Sequence, residues 1–338
     1  MKAPQVAIVG SESLLGAELR DVLGGSNLGG DIKLIGSEDP ETVILSERGG
    51  EPAVITGLDE ENLNASRVIF FAGRAETTRK AMPLIDRSAR PLLIDLSGGL
   101  EDLPEARLRA PIAEPRGYQP PESDCFLMAH PAASMLALVL GRLSRQEPIV
   151  RAVAQMFEPA SELGRAGVDE LQRQTINLLS FKPVVKDVFD AQLSFNLLAE
   201  YGEEAITRLD AIEQRIERHT ASLLALHSAA PMPSLRLVQA PVMHGYSISL
   251  WVEMEGMLEA KAIHTALAGE PVDLRGMDVE APNVVDYAGQ SGLSVGSMRA
   301  DRNNRRAWWF WLVADNFRLA ADDAVAVARP RLSGSASW

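Results

Sequence analysis

Residues Val6 to Leu23 read VAIVGSESLLGAELRDVL. Four apolar residues, Val6 to Val9, run into Gly10, and Leu15, Leu19, Val22 and Leu23 then recur at helical spacing. An apolar run without polar alternation is a strand buried on both faces, and the change of period across a glycine marks a strand–turn–helix unit. Gly10 and Gly16 bracket the turn, with Ser13 and Leu14 between them. The pyrophosphate of a dinucleotide meets free backbone N–H groups at such a helix start. The same glycines also serve a turn that binds nothing, so the spacing alone leaves both readings open.

Working outward, the pattern repeats. Ile32 to Ile35, Arg67 to Ala72, Pro91 to Leu96 and Cys125 to Ala129 are further apolar runs, and Ala53 to Thr56 reads as an edge strand. Ala75 to Ala89 is helical in pattern. Strands alternating with helices predict a doubly covered parallel sheet of Rossmann type. From about residue 147 the pattern changes. Ile149 to Phe157, Leu235 to Pro241, Tyr246 to Glu255 and Trp308 to Val313 read as longer strands, some with one solvated face. Val168 to Leu179 and Ala199 to Leu224 read as helices, and a last helix from Asp315 to Ala328 ends at Pro330. The expected organisation is a Rossmann-like domain over residues 1–131 and an α+β domain over 132–314. A closing helix with a flexible tail, residues 315–338, returns to the first domain.

The 338-residue chain carries 46 acidic against 33 basic residues, a net charge of −13. That balance argues against a nucleic-acid surface, which needs clustered Lys and Arg. The single cysteine, Cys125, excludes a disulfide framework and a cysteine-ligated structural zinc site. No metal centre is expected. With neither a signal-peptide pattern nor a long apolar span, the expectation is a soluble cytoplasmic protein.

The stretch Val6 to Leu23 resembles the N-terminus of aspartate-β-semialdehyde dehydrogenases. DELQRQT at Asp169 to Thr175 and FDAQLSFNLL at Phe189 to Leu198 resemble that family's central helix and the segment after it. VGSMRAD at Val295 to Asp301 and WLVADN at Trp311 to Asn316 resemble its closing strands and the start of its last helix. The resemblance implies an NAD(P)-binding Rossmann domain followed by an α+β catalytic and dimerisation domain. It also implies a chemistry. A cysteine thiolate attacks an aldehyde, a histidine acts as base, hydride passes to NADP, and phosphate releases an acyl phosphate. That scheme needs a nucleophile of high thiolate character beside a base.

Matched residue by residue, those parts have changed. The nucleophile position falls on Ala133, in AHPAASML from Ala129 to Leu136. Cys125 lies eight residues earlier, in the preceding strand, and reads as a buried structural thiol. The base position falls on Tyr246 in PVMHGYS, and a phenol of pKa about 10 is a poor base at neutral pH. His244, two residues away, would be displaced by about 6–7 Å along a strand. The substrate-carboxylate arginine falls on Gln239 and the glutamine assisting the nucleophile on Glu158. The glycine-rich loop after it falls on Ser161 to Gly164. A phosphate-binding arginine falls on Glu101, and no lysine occurs from Asp187 to Ala260 to supply the second phosphate cation. Gly10, Ser13, Leu14, Gly16, Ala72 and Gly73 are the cofactor-contact positions. Glu38 falls near the NADP-selective arginine, so a bound dinucleotide would be NAD rather than NADP.

The expectation is a divergent, non-catalytic paralogue of the family without its catalytic cysteine. It would be a homodimer linked to amino-acid metabolism that binds a protein partner or a small ligand. The alternative is an active NAD(P)-dependent oxidoreductase on a different small substrate, by direct hydride transfer with Tyr246 or His244 as acid/base. A third reading, a hydrolase with Ser134 as nucleophile, lacks a Gly-x-Ser-x-Gly elbow, and Ser134 at a helix start reads as an N-cap.

Overall fold

The computed structural model describes residues 5–26, 28, 31–36, 44–48, 51–64, 66–227, 230–276 and 279–333. The chain divides into two compact units. The first holds residues 1–111, 117–129 and 320–338, and the second holds 112–116 and 130–319.

In the first unit, strand β1 (Gln5–Val9) leads through Gly10 into helix α1 (Leu14–Gly25). Next come β2 (Asp31–Ile35), β3 (Ile44–Arg48), β4 (Glu51–Thr56), α2 (Glu60–Asn64), β5 (Val68–Phe71), α3 (Ala75–Ala81), β6 (Leu92–Asp95), β7 (Arg107–Arg109) and β8 (Cys125–Met128). They form an eight-stranded sheet in the order β3-β4-β2-β1-β5-β6-β8-β7, parallel except for the β3–β4 pair. The apolar runs are explained by cores on both faces. Val6 and Ile8 pack on one side with Leu19 and Val22 of α1, and Ala7 and Val9 pack on the other with Leu63 and Ala81. Residues Ala321 to Leu332 of the closing helix belong to the first of these cores.

The second unit contains α4 (Pro131–Gln146), β9 (Ile149–Glu158), α5 (Gly164–Leu179), α6 (Leu209–Leu224), β10 (Ser234–Gln239), β11 (Tyr246–Met254), α7 (Ala260–Leu267), β12 (Val272–Leu274), β13 (Leu293–Ala300) and β14 (Ala307–Ala314). Its six-stranded mixed sheet runs β10-β9-β11-β14-β13-β12. Alternate residues of β9, β11 and β14 are buried, while Val153, Gln155, Phe157, Ser249, Trp251, Trp309 and Trp311 share a partly exposed face. The last helix, α8 (Asn316–Leu332), starts in this unit.

Several element boundaries differ from the sequence reading. Ala53 to Thr56 is not an edge, because β3 pairs antiparallel outside β4. The run from Ala75 stops at Ala81, and Pro83, which lacks an N–H, sits in a following 3₁₀ turn. Ala199 to Leu224 is helical only from Leu209. Before that point the N–H groups of Gly202 and Ile206 bond to the carbonyls of Phe189 and Val188, which withdraws them from a helix. The closing helix passes Pro330 to Leu332, because a proline in the last turn forgoes one bond and Leu332 is buried in the core.

Gly10 sits at φ +77°, and an added Cβ would run into the backbone of Gly73, at the turn after β5. Gly10→Ala is expected to destabilise the protein by at least about 2 kcal/mol, from backbone strain plus the clash. Thermal melting of the variant against the parent chain measures this, and an unchanged midpoint would contradict the close approach of the two turns.

Candidate functional site

The site in the second unit begins with strand register. Parallel pairing of β10 and β9 sets Gln239 beside Glu158. Antiparallel pairing of β9 and β11 sets Ser247 against Phe157, so one step further Tyr246 faces Glu158. Gln239, Glu158 and Tyr246 thus form a row across three strands on the buried face, each with 0% exposure. Neighbours in such a row have Cβ atoms about 5 Å apart.

Buried polar groups must find partners, and here they find each other. The Tyr201 hydroxyl lies 2.6 Å from Gln239 Oε1 and 3.1 Å from Glu158 Oε1. The Gln239 amide is oriented by its nitrogen, which donates to the carbonyls of Glu158 and Ala240. A phenol has one proton and two acceptor oxygens before it. The network closes if Tyr201 donates to Gln239 and a protonated Glu158 donates to Tyr201. Burial, then the negative charge of Glu162, holds the Glu158 carboxyl well above the ordinary carboxylate range, which agrees with that proton count. Burial likewise raises Tyr201. Glu158 Oε2 is left buried without a partner.

On the other side of Tyr246 lies a second group. His130 is the N-cap of α4, and its Nδ1 accepts the Ala132 N–H, so Nε2 carries the proton. That nitrogen donates to Glu162 Oε1 at 3.0 Å, and the Tyr246 hydroxyl donates to Glu162 Oε2 at 3.3 Å. Burial opposes the charge on Glu162. The His130 ring, then Arg215 and the Tyr246 hydroxyl, outweigh it and hold the carboxyl below its usual value. Burial, then the charge of Glu162, pushes the Tyr246 phenol well above its ordinary pKa. Ala133, in the first turn of α4, is fully buried.

His244 belongs to a different set of contacts. Its Nε2 lies 2.8 Å from Asp315 Oδ1 and its Nδ1 lies 3.2 Å from the Ser161 hydroxyl. Asp315 is held by the Gly289, Phe317 and Arg318 N–H groups. Burial raises its carboxyl, but the His244 bond and these N–H groups lower it further than burial raises it. The serine–histidine–aspartate order is that of a hydrolase relay, yet Ser161 is 1% exposed and its hydroxyl also accepts from Asn316. With the Ala160 and Ser161 N–H groups bonded to Val242 and Met243, the relay anchors the turn that carries Glu162. Ser134 is not an N-cap, since His130 holds that position, and its buried hydroxyl has no partner. Cys125 is 1% exposed in β8, and burial pushes its thiol up to about 11.

In the first unit, strand order reverses at β1 and β5, and their following turns meet at Gly10 and Gly73. A dinucleotide binds at such a switch point. Gly16 permits α1 to press against the Gly10 carbonyl, and Leu14 opens the helix. However, the Ser13 hydroxyl already accepts the Gly16 N–H and donates to the Ala72 carbonyl. Glu12 places a buried carboxylate oxygen beside Gly36, at the end of β2. A pyrophosphate at this turn would approach that carboxylate, which opposes it electrostatically. Glu101 lies in this unit, past the turn that Asp95 organises, and not among the second-unit residues above. Glu38 falls outside the described residues. Among the described residues no group of three His, Cys, Asp or Glu could hold a metal ion, and no helix is long and apolar enough to cross a membrane.

Sequence reasoning singled out Glu158, Gln239 and Tyr246, which strand register brings together, and gave no role to His130, Glu162 or Tyr201. His130-Pro131 before an apolar helix was a legible N-cap signal. Nothing local in the sequence pointed to Tyr201.

A family model for the semialdehyde dehydrogenase dimerisation domain matches residues 142–319. A USG-1 protein homolog from Azotobacter vinelandii is 30% identical over 96% of this chain and 97% of its own. An aspartate-semialdehyde dehydrogenase from Rickettsia bellii is 24% identical over 95% of each chain. The solved structure of a probable aspartate-semialdehyde dehydrogenase from Pseudomonas aeruginosa superposes with a TM-score of 0.84 at 28% identity, covering 99% of this chain and all of that one.

Because the folded chain keeps the Glu158 proton above the ordinary value of 4.5, folding takes up a proton there. The stability that Glu158 contributes therefore falls as pH rises past that value. Glu158→Gln keeps the hydrogen bond to Tyr201 without the ionisable proton. Its melting temperature is expected to exceed that of the parent at pH 8, with the gain vanishing near pH 4. A variant less stable at pH 8 than at pH 4, relative to the parent, would rule out a protonated Glu158.

Proposed function

The chain belongs to the aspartate-semialdehyde dehydrogenase family, and from that premise we propose that it does not carry out the family's thiol-based oxidation. It is a dimeric binding protein built on the dehydrogenase scaffold. One observation carries this reading. Glu158 and Gln239, at the positions of the nucleophile's helper and the substrate-carboxylate cation, hold each other through Tyr201. Gln239 is engaged at both its oxygen and its nitrogen, and Glu158 is held at one oxygen. Around them, Ala133 offers a methyl group at the nucleophile position, and Tyr246 is too weak a base at neutral pH. Cys125 is a poor thiolate for the same reason that it is buried, since the thiol and not the thiolate is favoured there.

The alternative reading is an active NAD(P)-dependent oxidoreductase. Its support is the Tyr246–Glu162–His130 group, which could hold and pass a proton at the Tyr246 oxygen. His244 is a weaker candidate, because both its ring nitrogens are engaged. A nicotinamide cofactor would supply the hydride chemistry. Glu12 would have to turn away to admit one, and Glu38 would favour NAD over NADP.

Purified protein is expected to give no phosphate-dependent oxidation of aspartate semialdehyde with NAD or NADP. Ala133→Cys alone is expected not to restore it, because Tyr246 and Gln239 remain. Turnover by the unmodified chain defeats the first reading, and calorimetric titration with no binding of NAD or NADP at millimolar concentration defeats the second.

The family's dimerisation domain supports a homodimer through the partly exposed sheet face. There Trp309 is 38% and Val153 47% exposed, and the Trp251 and Trp309 indoles share Asp301. Analytical ultracentrifugation is expected to return twice the 36.6 kDa chain mass, and Trp309→Glu is expected to shift the protein to monomer.

A further inference from the structure

The turn between β13 and β14 reads RADRNNRR from Arg299 to Arg306, four arginines against one aspartate in a chain whose net charge is −13. Hydrogen bonds fix its shape. The Asp301 N–H donates to the Ala307 carbonyl at 2.8 Å, and Asp301 Oδ1 accepts the Asn303 and Asn304 N–H groups at 2.7 and 3.1 Å. The Asn304 side chain accepts the Arg306 N–H. Asp301 Oδ2 accepts the Trp251 and Trp309 indole N–H groups, each at 2.9 Å. Glu253, which pairs with Ala307 across the strands, is 1% exposed at its side chain. It takes Arg151 on one oxygen and Arg306 on the other, both at 2.7 Å. These two carboxylates are therefore already occupied. Arg299, Arg302 and Arg305 are exposed and have no hydrogen-bond or ion-pair partner among the described residues. A single exposed guanidinium is well solvated and implies nothing. Three of them on one fixed turn, with the neighbouring acids used up, form a local positive patch on an acidic protein.

We infer that the turn from Arg299 to Arg306 docks a short acidic segment of a partner protein. A guanidinium presents a rigid fork of donors that matches a carboxylate, and three free forks suit an extended run of Asp or Glu. The turn is held before binding, so only the partner segment loses freedom on docking. Arginine and tryptophan are also the residues that carry binding energy at protein interfaces, and Trp309, 38% exposed, pairs with Arg299 in register. Charge range separates this occupant from a nucleic acid. Fields between exposed groups are screened within about 8 Å at physiological salt, so a short segment meets the arginines alone. A long polyanion runs past the turn onto an acidic surface, and tight nucleic-acid binding needs more phosphate contacts than three arginines supply.

None of these arginines belongs to the Glu158–Glu162 group, so binding at the turn holds or fails independently of what that group does. The test is fluorescence anisotropy of a labelled decaglutamate peptide titrated with the full chain, at about 20 mM and about 200 mM NaCl. Saturable binding that weakens with salt is expected. Arg302→Glu with Arg305→Glu should weaken it by about tenfold or more, and the exposed first-unit pair Arg67→Glu with Arg79→Glu should not. If the reversed variant fails to fold, Arg302→Gln with Arg305→Gln takes its place and is expected to weaken binding less steeply but in the same direction. No binding up to about 1 mM at the lower salt overturns the inference. Equal loss in the first-unit pair does so too, because the attraction would then be general. An oligothymidylate of about thirty nucleotides that binds as tightly as the peptide would make the turn a nucleic-acid contact. A shift to monomer on sedimentation of the Arg302/Arg305 variant would make it a contact with a second copy. Either result rejects an acidic partner segment.

Discussion

One proton between two acceptors organises the second unit. The Tyr201 hydroxyl stands before Glu158 and Gln239 and can donate to only one of them. Gln239 is fixed in orientation by its two backbone carbonyls, so the proton goes to its oxygen, and Glu158 must remain neutral to complete the chain. A charged Glu158 would leave a carboxylate in a dry sheet interior beside a second carboxylate. The neutral form removes that penalty and lets strands β9, β10 and β11 close over a polar row.

The same constraint separates the two acids. Glu162, with His130 and Tyr246 as donors, is held below its usual pKa, whereas Glu158, buried with Tyr201 as its partner, is pushed well above it. Environments that push paired carboxyls apart are characteristic of functional sites, though structural networks also do so. Here the Ser161–His244–Asp315 relay, itself out of reach of solvent on the serine side, holds the turn that positions Glu162. What resembles a catalytic triad in order acts as a tether.

Much of the fold was legible. The strands of the first unit were continuous in apolar character because the sheet is covered on both faces, and that pattern survives without knowledge of partners. The alternation in β9, β11 and β14 gave the half-open sheet for the same reason. The failures were at places where distant backbone groups compete with local propensity. Residues 199–208 read as helix but are bonded to Val188 and Phe189 instead. β3 carries no strong apolar pattern and made β4 an inner strand. In the site, the sequence placed residues singly. It named Tyr246 and Glu158 as substitutions without indicating that they are cross-strand neighbours.

The sequence by itself determined the family and the doubly covered first sheet. Those follow from local periodicity and ordered motifs, which need no knowledge of who touches whom. The tertiary structure decided the opposite pKa shifts of Glu158 and Glu162, the pairing of His130 with Glu162 and the separate contacts of His244. Each depends on hydrogen bonds between residues tens of positions apart, and on burial that exists only once the strands have paired. A carboxyl has one pKa in the open chain, and only the closed row of strands gives these two different ones.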